Sequence, residues 1–96
     1  MCEKVYENAL MIEFKMRQIA FDQQRRFRIL YKDEYVGGFV PDLIVFESVV
    51  VDTKVIDRIT DHERGQMLND LRITKLRVGL IINFKQARLT WERVVL

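Results

Sequence analysis

Two apolar runs rich in β-branched residues, Val40-Pro41-Asp42-Leu43-Ile44-Val45-Phe46 and Val49-Val50-Val51-Asp52-Thr53-Lys54, flank a short polar break at Glu47-Ser48. That pattern predicts a β-hairpin. Both strands are apolar on both faces, as in a sheet covered on two sides. Asp42, Asp52 and Lys54 interrupt them. A charge in a buried strand is costly unless it is paired or holds a metal. Convergence of the three depends on turn length, because side chains alternate faces along a strand. A two-residue turn at Glu47-Ser48 pairs Asp42 with Thr53 and sends Asp42 and Asp52 to opposite faces. A three-residue turn, Phe46-Glu47-Ser48, pairs Val45 with Val49, Asp42 with Asp52 and Val40 with Lys54. A slip of one residue inverts the outcome. Three-residue loops and bulges are acceptable hairpin geometry. We expect the register that joins the charges, since the other buries them separately.

The rest of the chain is bounded by its composition. Its 96 residues suit one domain over 1–96, and 49% hydrophobic with 31% charged content suits a soluble globule. No apolar run is long enough to span a membrane, and the N-terminus lacks a signal-peptide pattern. Cys2 is the single cysteine, which excludes an internal disulfide and suits a reducing compartment such as the cytoplasm. A net charge of +2 is too small to demand a polyanion, but Arg25, Arg26 and Arg28 cluster. They are candidate nucleic-acid contacts.

In chain order, residues 3–19 read as a helix that is apolar nearly all round at Ala9 to Ile12 and therefore much buried. Glu3, Tyr6, Leu10, Glu13 and Arg17 share one face, with Glu13 and Arg17 as an intrahelical pair. Residues 21–24 read as a break, Arg25–Tyr31 as a first strand, and 32–38 as a connection punctuated by Gly37-Gly38. Thr60-Asp61-His62-Glu63 is a capping box opening a second helix that ends near Thr74-Lys75. Gly65 inside that helix hints at close packing. Val78–Phe84 reads as an apolar strand in which Gly79 allows close helix approach. Residues 90–96 read as an edge strand. The expected order is α-β-β-β-α-β-β, an α/β fold with a mixed sheet flanked by two helices.

Pro41-Asp42, nine intervening residues, then Asp52-Thr53-Lys54 resembles the PD-(D/E)XK nuclease signature. Glu3-Lys4-Val5-Tyr6, Ala9-Leu10, Glu13, Gln66-Met67-Leu68-Asn69 and Gly79-Leu80-Ile81-Ile82-Asn83-Phe84 resemble the small GxxExxxR family of that superfamily. The similarity covers nearly the whole chain. It implies a small restriction-endonuclease-like core, a site on the central hairpin, Mg²⁺ dependence with Mn²⁺ as a substitute, and cleavage of nucleic acid, DNA first. The chain departs from the family at three points. The glycine of the GxxE segment would precede Glu3, where the chain starts at Met1. Asp52 stands where glutamate is usual. Asp70 stands for the tyrosine of the related Gln-x-x-x-Tyr motif.

The residues suit that chemistry. A hard cation with oxygen ligands activates water and stabilises phosphoryl charge. Asp42 and Asp52 would supply carboxylates, the Thr53 backbone carbonyl a third ligand, and Glu3 a further candidate. Lys54 would orient or deprotonate the nucleophile or neutralise charge, and Gln66 would position water or phosphate. A buried Asp/Lys ion pair is the plainer alternative, but two carboxylates facing one lysine leave negative charge unpaired, which favours a metal. His62 reads as a solvated first-turn residue and Trp91 as a dimer anchor or core residue. No Gly-rich phosphate loop, zinc spacing or nucleophile elbow is present. Two classes remain: a metal-dependent nuclease, a candidate homodimer because so small a domain grips little duplex, or a nuclease-like binding or assembly module without turnover. The start of the chain at Met1 and Asp70 weigh for the second, and the intact Asp42, Asp52 and Lys54 for the first.

Overall fold

A computed structural model describes residues 3–96; Cys2 lies outside them. The elements are α1 (Glu3–Met16), β1 (Phe21–Gln23), β2 (Phe27–Tyr31), β3 (Glu34–Phe39), β4 (Leu43–Val45), β5 (Val49–Lys54), α2 (Asp61–Thr74), β6 (Val78–Asn83) and β7 (Thr90–Val95). Five strands form one mixed sheet in the order β1-β4-β5-β6-β7, and β2 and β3 form a separate two-stranded ribbon. Only β5 and β6 pair parallel, as the α2 crossover between them requires. The helix, strands, helix, strands order is the expected one, with five strands between the helices rather than three.

The β4–β5 turn spans residues 46–48 and pairs Val45 with Val49, Ile44 with Val50 and Leu43 with Val51. Phe46 and Glu47 both take positive φ, and the Ser48 N–H closes the turn on the Val45 carbonyl at 3.0 Å. The odd loop length decides what lies on each face. Ile44 and Val50 face α2 with Met67, Leu71 and Ile81. Leu43, Val45 and Val51 face α1, packed by Leu10 and Phe14. Five apolar side chains of this hairpin and Thr53 are buried, so both faces are covered.

Several expectations are corrected. Helix α1 buries only Glu7; Val5, Ile12 and Met16 are exposed, because a helix lying on one sheet face has only one inward stripe. Residues 21–23 pair with β4 rather than breaking the chain. The 32–38 stretch is mostly strand: the ribbon turns at Lys32-Asp33, both at positive φ, while Gly37 and Gly38 lie inside β3 at negative φ. Gly65 has open space where a Cβ would stand. Trp91 is exposed on edge strand β7 and is not core.

The α2 start is as the sequence implies. The Thr60 hydroxyl accepts from the His62 N–H at 3.3 Å, and the Glu63 carboxylate accepts from the Thr60 N–H at 2.7 Å. Gly79 lets α2 sit on the sheet, since a Cβ there would fall 2.3 Å from Met67 Sδ. Asn83, at the end of β6, holds the segment after β5: its Oδ1 accepts from the Ile56 N–H at 3.1 Å and its Nδ2 donates to the Ile56 carbonyl at 2.8 Å.

Candidate active site

Parity within β5 puts Val50, Asp52 and Lys54 on the α2 face of the sheet. The β4–β5 ladder ends at Leu43 and Val51, so Asp42 sits on the bend just before β4 and Val40 is not paired with Lys54. Freed from the ladder, the Asp42 carboxylate turns toward β5. Its Oδ2 accepts from the Thr53 N–H at 2.8 Å and from the Thr53 hydroxyl at 3.0 Å. The Asp52 carboxyl is a neighbour near enough for Asp42 to raise its pKa. Lys54 Nζ lies 3.4 Å from Asp52 Oδ2, both side chains about a fifth exposed.

Burial and the neighbouring Asp42 push the Asp52 carboxyl up to about 7, against the attraction of Lys54. Burial and a like-charged neighbour both disfavour the ionised form of Asp52. Burial pulls Lys54 down, but Asp52, Glu3 and Asp42 outweigh it, so the net shift is upward and the amine stays charged. Glu3 therefore acts on the site electrostatically from the first turn of α1. Tyr6 of the same helix stacks on Phe84, with ring centroids 4.9 Å apart, where the Phe84 N–H donates to the Lys54 carbonyl at 2.8 Å.

Asp52 and Lys54 open into a cleft of about 340 Å³ lined also by Phe39, Gln66, Asn69 and Asp70. Gln66, Asn69 and Asp70 stand three and four apart on α2, one face of the helix. Gln66 Nε2 lies 3.3 Å from a ring nitrogen of His62, which is exposed. Asp70 is legible in the sequence only as a departure from a motif, although its spacing from Gln66 puts it in the cleft. Burial pushes its carboxyl up to about 6, with Lys54 opposing and Asp42 adding.

Asp42 also borders a second cleft of about 460 Å³ with Lys4, Glu7, Gln24, Arg26, Val40 and Pro41. Glu7 is the buried carboxylate here; Lys4 Nζ lies 2.9 Å away and Gln23 Nε2 donates to the same oxygen. Nothing in the sequence singles out Glu7 beyond its four-residue spacing from Glu3.

The three arginines separate. Arg25 lies 3.4 Å from Asp22 and 3.5 Å from Glu47, so its charge is spent on carboxylates. Arg26 donates to the Tyr35 hydroxyl at 3.5 Å, and the Arg28 guanidinium lies 5.3 Å from the Tyr35 ring. Among the described residues no three Asp, Glu, His or Cys side chains converge at metal-binding distance. A cation at Asp42 and Asp52 would complete its shell from backbone and water. The oxygen donors suit Mg²⁺, which keeps several waters and takes one or two carboxylates. The Thr53 carbonyl projects to the same side of β5 as the N–H that meets Asp42.

Residues 1–94 match the family model described as the PD-(D/E)XK nuclease superfamily. No curated protein matches the chain. Among solved structures, the one titled "Crystal structure of SSO0001" superposes with a TM-score of 0.77 at 13% identity, covering 96% of this chain. The chain spans about half the length of that structure, 48% of it. At that identity the likeness is one of fold.

Proposed function

Because the chain belongs to the PD-(D/E)XK nuclease superfamily, we propose that it is a metal-dependent nuclease that hydrolyses phosphodiester bonds of nucleic acid. DNA is the first substrate to test, Mg²⁺ the working ion and Mn²⁺ its substitute. Within the superfamily we assign residues 1–96 to the GxxExxxR group as one nuclease-like unit, acting in the cytoplasm, the compartment that a lone cysteine suits.

The observation that carries this reading is the meeting of Asp42 and Asp52 with Lys54 3.4 Å away. A buried Asp52 carboxyl beside Asp42 is a poor resting state when ionised at neutral pH, and a divalent cation would relieve it. A bound cation supplies Lewis acidity and a water activated near neutral pH. Asp42, oriented by Thr53, and Asp52 would hold it with the Thr53 carbonyl, and Glu3 would add negative charge from the side. Lys54, kept charged by its neighbours, would donate to the attacked phosphate and neutralise developing charge rather than act as a base. Gln66, on the cleft rim, would position water or phosphate. A second copy would extend the grip on duplex, and we assign that contact to exposed Trp91 and Val95 on β7.

A binding or assembly module without turnover is the competing reading, and Asp70 is the residue that favours it. Its carboxyl adds negative charge where phosphate would approach. Titrating Mg²⁺ and Mn²⁺ against labelled single-stranded, duplex and branched DNA, with RNA alongside, separates the two. Metal-dependent cleavage supports the nuclease; binding without cleavage across the panel transfers the assignment to the module.

A further inference from the structure

A third cleft, of about 480 Å³, opens between the β2–β3 ribbon and the C-terminal turns of α2. Arg28, Lys32, Arg72 and Lys75 line it, against one carboxylate, Asp33. Elsewhere ion pairs engage Lys4, Arg17, Arg25, Lys54, Arg64 and Lys85, half of the other twelve cations, so what sets this cleft apart is the gathering of four cations on one concavity. None of the four cleft cations has an ion-pair partner among the described residues; Arg28 and Lys32 rest instead against the rings of Tyr35 and Tyr31.

The negative end of the α2 dipole accounts for cations in that helix's last turn. It does not account for Arg28 and Lys32, which arrive on a separate ribbon. Four cations with no ion-pair partner among the described residues, all lining one concavity, raise the local potential and concentrate anions there. The cleft volume falls in the range of about 300–1,000 Å³ that ligand sites occupy.

The cleft also adjoins the candidate active site. Asn69 and Asp70 line the site, and Arg72 and Ile73 line the basic cleft, within one helical turn of about 5.4 Å. Phe39 of the site pairs across the ribbon with Phe27, the neighbour of Arg28. The two clefts therefore lie side by side along α2, the carboxylates and Lys54 in one and the four cations in the other.

We propose that this basic cleft is a phosphate-binding subsite for the nucleic-acid strand that leaves the reacting centre, the backbone phosphates next to the scissile one seating on Arg28, Lys32, Arg72 and Lys75. The subsite rests on the nuclease reading for the identity of the strand. Backbone phosphates carry no base identity, so binding here would be insensitive to sequence.

The test measures binding of a labelled single-stranded oligonucleotide in EDTA, where no turnover occurs, over a range of salt. R72Q/K75Q should bind more weakly with every sequence. Its plot of log affinity against log salt should be shallower by about 0.7 for each phosphate no longer neutralised. K15Q/R17Q, which removes the same charge from the far end of α1, should leave the slope unchanged, and R28Q, on the other wall, should lower it. An unchanged slope in both R72Q/K75Q and R28Q overturns the subsite, as does equal weakening in K15Q/R17Q, which would reduce the effect to net charge. Wild-type protein that binds with the predicted slope but never cleaves removes the nuclease reading and leaves the subsite standing. Wild-type protein that binds no oligonucleotide removes both.

Discussion

The Asp42 carboxylate is fixed by Thr53, whose N–H and hydroxyl both donate to Oδ2, at 2.8 and 3.0 Å. Thr53 lies between Asp52 and Lys54, so one residue ties the bend before β4 to the strand that carries the other two charges. Thr53→Val keeps the β-branched shape and removes one donor. Hydrogen bonds to charged groups contribute about 1.5–3 kcal/mol. Denaturant melts should show a loss of that order, together with slower cleavage, and Thr53→Ser should restore most of both. A serine variant as impaired as valine would mean that the hydroxyl alone does not hold Asp42, and an unimpaired valine variant would mean that the hydroxyl does not matter.

Stability should depend on pH through the site. Burial and Asp42 raise Asp52 from 3.8 to about 7, and burial raises Asp70 from 3.8 to about 6. Between the unfolded and folded values the folded state binds more protons, so stability falls as pH rises through that window. The penalty is absent below about pH 4 and complete above about pH 7. Glu63, lowered by the Thr60 hydroxyl, and Glu92, lowered by Arg64, work the other way. They add stability above their unfolded values that is lost on acidification, below the Asp52 window. Asp52→Asn should flatten the melting profile between pH 5 and 7 and melt above the metal-free wild type at pH 8. Parallel profiles for the two proteins would contradict the assignment of the slope to Asp52.

Gly79→Ala should be destabilising although it adds only one methyl. The added carbon would sit 2.3 Å from Met67 Sδ, and Met67 is itself fully buried. Overpacking of this kind typically costs about 1–3 kcal/mol. Met67→Ala in the Gly79→Ala background should recover part of the overpacking loss, measured as a non-additive double-mutant cycle. Strict additivity would show that the two side chains do not compete for space.

Asn83→Leu should cost more than an exposed substitution, because it strands the N–H and carbonyl of Ile56. Buried groups left unsatisfied cost about 1–3 kcal/mol each. Since Ile56 lies two residues after Lys54, cleavage should slow even at temperatures where the variant is fully folded. Full activity at such a temperature would confine Asn83 to a purely structural role.

Much of this arrangement is legible in the residues. Strand parity with a three-residue turn foretells the Val45–Val49 register, and the Thr60/Glu63 box foretells the start of α2. The misses have local causes. Gly37-Gly38 suggests a turn, yet Lys32 and Asp33 supply the positive φ that a two-residue hairpin turn needs. Strand β1 is only three residues long and takes its place from β4, not from its own pattern. Around the site, the shared face of Asp52 and Lys54 follows from alternation, whereas Asp42 reaches them from the bend before β4, outside the ladder. Asp70 and Glu7 do not follow from alternation, because a carboxylate inside a fold is informative only once the groups around it are known. Spacing alone cannot separate Arg25, paired with acids, from Arg26 and Arg28.

In the proposed nuclease, Asp42 and Asp52 hold a divalent cation beside a charged Lys54. The direct measurement is Mg²⁺-dependent melting and cleavage on three proteins: wild type, Asp42→Asn and Lys54→Ala. A ligand at a hundredfold excess over Kd stabilises by about 2.7 kcal/mol. Wild type should gain this stability and cleave, and Asp42→Asn should lose both. Lys54→Ala should keep the melting gain while cleaving about 10²–10⁴-fold more slowly. A Mg²⁺ shift undiminished in Asp42→Asn, or cleavage undiminished in Lys54→Ala, would contradict the proposed site.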